Sequence, residues 1–84
     1  MSKSNNQSLF PQELKEKVIN LYKAGDLEEL VALAEPLTEQ FPKELMLHDV
    51  IGAANMGLGN IKKSIASFEK SLQINPNHAE AHNN

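Results

Sequence analysis

Gly25-Asp26-Leu27 returns as Gly59-Asn60-Ile61, and Phe41-Pro42-Lys43 returns as Asn75-Pro76-Asn77, each 34 residues further on. The same offset sets Leu30, Ala34 and Leu37 against Ser64, Phe68 and Ser71, and His48 against His82. A period of this length marks a stacked array, in which each repeat is one supersecondary unit that buries its apolar face on its neighbours. Glycine and proline punctuate the pattern at fixed phase: glycine closes a helix and proline bars its continuation. The functional question is therefore which surface the array offers, and to what.

Working outward from these landmarks gives four helices. Pro11 fits the first turn of a helix, where its missing N–H is not needed. Leu14, Val18, Leu21 and Tyr22 then recur at helical spacing as far as Ala24, and Gly25 stops the run. Asp26-Leu27-Glu28-Glu29 has the capping-box pattern, with Asp26 accepting from the N–H of Glu29 and Glu29 reaching back to Asp26. Leu27, Leu30, Val31, Ala34, Leu37 and Phe41 form the apolar face of the second helix, which ends before Pro42. Pro36 lies inside this run and predicts a bend near residues 32–36 rather than two separate helices. A third helix is expected from about Glu44 to Met56, with Leu47, Val50, Ile51 and Ala54 as its stripe. Gly57-Leu58-Gly59-Asn60 reads as a turn, with Asn60 as N-cap of a fourth helix. Ile61, Ile65, Phe68, Leu72 and Ile74 are its expected buried face, and Pro76 ends it. Asn77-His78-Ala79-Glu80 again resembles a cap, opening a fifth helix. The expected fold is all-α: two antiparallel helical hairpins joined by short connections.

Composition narrows the chemistry. The 84 residues include 40% hydrophobic ones, enough for the core of one small domain, and only 5% aromatic ones, which suits helices. No cysteine is present, which excludes disulfides, thiolate metal sites and cysteine nucleophiles. All eight basic residues are lysine, and the net charge is −3. Without arginine, the preferred group for bidentate phosphate and base-edge contacts, nucleic acid is not an expected partner. No apolar run approaches a membrane span and no signal-peptide core is visible, so no membrane partner and a cytoplasmic location are expected.

Several residues together resemble the tetratricopeptide repeat, a helix–turn–helix unit of the same period. In the second copy they are Ile51-Gly52, Gly59, Ile65, Phe68, Leu72 and Pro76. In the first they are Leu14, Tyr22, Gly25, Ala34 and Pro42. The stretch Leu72 to Asn84 is similar to the junction where one such repeat passes into the next. The resemblance implies two hairpins stacked as a short right-handed solenoid plus the start of a third repeat. Residues 1–8 would be a flexible tail, and residues 9–84 the repeat domain, divided into 11–44, 45–78 and a truncated 79–84. The first copy departs from the family at Val18 and Leu30, which stand where Gly52 and Ser64 stand in the second. Small residues there let two helices cross closely, so the first hairpin is expected to be splayed wider.

The resemblance also implies a working surface. The family's first helices line a concave groove, which assigns Gln12, Lys15, Ile19, Tyr22 and Lys23 from one copy, and Met46, Asp49, Ala53, Met56 and Gly57 from the other. Such a groove takes a peptide or helix of a protein partner through apolar anchors and a few charges. The family's carboxylate clamp is not expected: Lys15 is present, but Ile19 and Val50 replace the asparagines it needs. The resemblance extends to N-terminal targeting arrays of larger bacterial transferases, such as O-GlcNAc-transferase-like glycosyltransferases, sulfotransferases and methyltransferases. A stub of a third repeat would leave Ile65, Phe68 and Leu72 uncovered, so self-association into a dimer or higher oligomer is a third expectation.

No catalytic set is legible. His78 and His82 could share a helical face, but no further ligand is fixed for a metal. Glu28, Glu29, Glu35, Glu39 and Glu44 read as a solvated outer face, and Lys62 and Lys63 as surface. There is no Ser–His–Asp arrangement, phosphate loop or nucleotide fingerprint. The chain is accordingly expected to have no catalysis, cofactor or metal of its own.

Overall fold

The computed structural model describes residues 10–77. They form four helices: α1 Gln12–Ala24, α2 Leu27–Gln40, α3 Leu45–Leu58 and α4 Ile61–Ile74. Helix α3 lies centrally, packed on α2 before it and α4 after it, while α1 leans on α2 and touches α3. The expected tail at 1–8 and the expected opening of a fifth helix, with His78 and His82, lie outside the described residues.

The two hairpin turns are built alike. Gly25 and Gly59 both adopt left-handed backbone, with φ of 79° and 85°. Each closes a Schellman motif. The N–H of Asp26 donates to the Leu21 carbonyl and that of Gly25 to the Tyr22 carbonyl. The N–H of Asn60 donates to the Asn55 carbonyl and that of Gly59 to the Met56 carbonyl. The correspondence runs on through each second helix: Leu30 N–H to Asp26 carbonyl matches Ser64 to Asn60, and Phe41 to Leu37 matches Asn75 to Ser71. The 34-residue period is thus a repeat of backbone hydrogen bonding as well as of residue type.

Asp26 and Asn60 do occupy the N-cap positions, but neither caps with its side chain. The expected reciprocal pair of Asp26 and Glu29 is therefore absent. In its place the Schellman turn fixes the entry to each helix, and Asn60 Nδ2 donates instead to Asn55 Oδ1 at 3.2 Å. Helix α2 runs unbroken through Pro36. Pro36, which cannot donate to the Ala32 carbonyl, and Ala32 itself both lie on the exposed side of the helix.

Helix α3 extends past the expected end at Met56, and Gly57 and Leu58 are helical rather than part of the turn. Gly57 serves close packing: a Cβ there would stand 2.6 Å from Leu27 Cδ1. Gly52 acts in the same way, since its Cβ would lie 2.8 Å from the Phe68 ring. The core comprises Phe10, Val18, Leu30, Ala34, Leu37, Leu47, Ile51 and Ala54. Phe10 closes its base, edge-on to Phe41 with ring centroids 5.2 Å apart.

The fourth helix departs most from expectation. Its buried residues are Ser64 and Ser71, not its apolar side chains. Ile61, Ile65 and Leu72 are exposed, while Phe68 and Ile74 are half-buried. Two small hydroxyl residues facing α3, with Phe68 over the bare Gly52, let the α3 and α4 backbones approach. Stretches of Cα atoms within 8 Å of each other run along far more of this pair than of α1 and α2. The apolar stripe is consequently turned to the side, with Phe68 meeting α3 at Gly52 and Ile61, Ile65 and Leu72 left exposed.

Candidate functional site

Helices α1 and α3 present the predicted groove residues at matching helical phase. On α1, Ile19, Tyr22 and Lys23 are exposed and Lys15 is half-buried. On α3, Met56 is exposed and Met46, Asp49 and Ala53 are half-buried. Tyr22 and Met56 are equivalent by the 34-residue register and similarly exposed, at 47% and 50%. Ile19, three residues before Tyr22 on α1, is a third exposed large apolar side chain. Not every residue is equally open. Met46 packs against the core, and Asp49 Oδ1 accepts the Ser71 hydroxyl at 2.6 Å. Asp49 therefore stitches α3 to α4 as well as bordering the surface, a tie that joins residues 22 apart and has no periodic signature.

A second apolar surface lies on α4. Ile65 and Leu72 are exposed as expected, Phe68 is half-buried against Gly52, and Ile61 joins the stripe at 48% exposure. The register says what this stripe corresponds to. The equivalent residues of α2 are Leu27, Val31, Ala34 and Thr38, all buried or half-buried. There Leu27 lies against Gly57 of α3. The face of α2 that α3 covers is thus the face that α4 leaves open. Ile61 was available to sequence reasoning through its match with Leu27, but a purely amphipathic count placed it in the core.

Between α2 and α4, a shallow hollow over α3 is lined by Glu35, Thr38, His48, Ile51, Ala66, Ser67 and Lys70. It brings a carboxylate, an imidazole and a hydroxyl around one depression, the residue types of a nucleophile relay. The geometry does not form one. The buried His48 uses Nε2–H to donate to the Pro42 carbonyl at 3.1 Å, and no hydrogen bond joins Glu35, His48 and Ser67. His48 instead anchors the loop that enters α3. Among the described residues no group of acidic residues and histidines is placed to hold a metal ion. Glu28, Glu29, Glu35 and Glu39 are exposed and Glu44 is half-buried, and Lys62 and Lys63 are exposed. No helix of the described residues is long and apolar enough to cross a membrane. Compared with protein-family models, curated proteins and solved structures, the chain matches none.

Proposed function

We propose that this chain is a protein–protein interaction module, two tetratricopeptide-like repeats of a short right-handed solenoid, and that it binds a peptide or helix along the shared face of α1 and α3. The observation that carries this is the pair Tyr22 and Met56. Register-equivalent positions on successive first helices both hold a large apolar side chain about half open to solvent. Ile19 lies beside them in sequence phase, and Lys15 and Lys23 supply positive charge. Apolar anchors with a basic margin suit a partner segment that alternates apolar and acidic residues. The repeated turn hydrogen bonds support the solenoid arrangement, because they give both hairpins one local geometry.

Selection from a displayed peptide library against the full chain tests this. Bound sequences should share apolar anchors near an acidic residue. Their affinity should fall at least about tenfold in Tyr22→Ala and in Met56→Ala, the cost of losing one anchoring side chain. Both residues are exposed, so thermal unfolding of the variants should match wild type. Binders indifferent to both substitutions would contradict the assignment of the face.

A further inference from the structure

The stripe on α4 identifies its own partner through its spacing. Ile61, Ile65, Phe68 and Leu72 follow at intervals of four, three and four residues. These intervals make a heptad-type seam along one side of a helix. Their order is the same read in either direction. A second copy of α4 laid antiparallel therefore returns the same seam: Ile61 meets the partner's Leu72, and Ile65 meets the partner's Phe68.

The flanking residues agree with that direction. Ser64 and Ser71 occupy the flank turned to α3, where both are buried. Lys62 and Glu69 occupy the opposite flank and are exposed. Seven residues separate them, two turns of helix, so they do not pair within one α4. In the antiparallel arrangement Lys62 comes beside the partner's Glu69, and the two-fold axis makes the pair twice. In a parallel arrangement this flank would instead face the partner's Ser64–Ser71 flank, which is already buried, and the Lys62–Glu69 pair would be lost.

We propose that α4 is the seam of an antiparallel homodimer, in which a second copy of this chain covers Ile61, Ile65 and Leu72 while Lys62 and Glu69 set the direction of pairing. The seam shares no residue with the α1/α3 face, so this dimer and the proposed peptide binding stand or fall separately.

Sedimentation equilibrium of the full chain from micromolar to millimolar concentration tests the dimer. Wild type should move from monomer to dimer mass. Ile65→Glu should remain monomeric with an unchanged helical spectrum, since Ile65 is already 50% exposed. Lys62→Glu and Glu69→Lys should each weaken self-association, by about tenfold at low salt, since each sets two like-charge contacts across the axis. Mixed in equal amounts, these two variants should recover wild-type affinity, because every contact in the mixed dimer is again of opposite sign. A wild type that stays monomeric at millimolar concentration overturns the proposal. So does a dimer unaffected by Ile65→Glu, or charge variants that fail to complement. If wild type is monomeric and deletion of residues 78–84 makes it dimerise, that segment is the occupant and the second copy is not.

Discussion

The first hairpin carries Val18 and Leu30 where the second carries Gly52 and Ser64, and all four are buried. The turns that join the helices are the same, down to the hydrogen bonds about Gly25 and Gly59. What differs is the bulk between the helices. Val18 and Leu30 are fully buried in the first hairpin, whose helices run close over less of their length. Gly52 and Ser64 let α3 and α4 come together, and the Phe68 ring fills in from the edge. An identical backbone frame thus supports two packing solutions. The second has a consequence the first lacks: its serines take the inner face of α4 and leave Ile61, Ile65 and Leu72 outside.

Substituting alanine at one register position in each hairpin should separate the two solutions most sharply. Leu30→Ala removes a fully buried side chain from the core and should cost about 2–5 kcal/mol. Ser64→Ala, 34 residues on, removes a buried hydroxyl that has no hydrogen-bond partner, and should be neutral or stabilising by up to about 1 kcal/mol. Urea unfolding of the two variants beside wild type measures both. Similar losses would mean that the two positions do not play different parts.

The shared turns should respond alike. A Cβ at Gly25 or at Gly59 would meet no atom within 4 Å, so only backbone strain opposes it. Gly25→Ala and Gly59→Ala should each cost about 1–2 kcal/mol, the usual penalty for an L-residue in left-handed backbone. Thermal unfolding of the pair reads this. A large difference between them would break the equivalence of the turns.

Much of the frame could be read from residues alone. Glycine and proline phase located all four helices, and the small residues at 52 and 64 announced the closer hairpin. What escaped was orientation. Periodicity says that Ile61, Ile65, Phe68 and Leu72 share a face, but not that Ser64 and Ser71 beside them face the neighbour. That choice depends on how closely α3 approaches, a tertiary matter. Gly57 looked like turn residue for the same reason: a glycine needed for contact with Leu27 is indistinguishable in sequence from one needed for a turn. The candidate face on α1 and α3 rests on phase, and what the structure adds is that Ile19, Tyr22 and Met56 are exposed. The engagement of Asp49 by Ser71 was not, because a side-chain bond between helices leaves no periodic trace. Phe10 was passed over since it precedes the first helix, although it is only 6% exposed and seals the core with Phe41.

The central claim is that one frame holds two different spacings set by the residues at 18 and 52. Reciprocal substitution tests it most directly, with Val18→Gly and Gly52→Val measured by urea unfolding in parallel. The account predicts that both lose stability. Val18→Gly opens a cavity in the core and weakens α1. Gly52→Val drives a side chain into the Phe68 ring, at a cost of about 1–3 kcal/mol. A Gly52→Val chain as stable as wild type, or more so, would contradict it, because the second hairpin would then have room for the bulk that the first one buries.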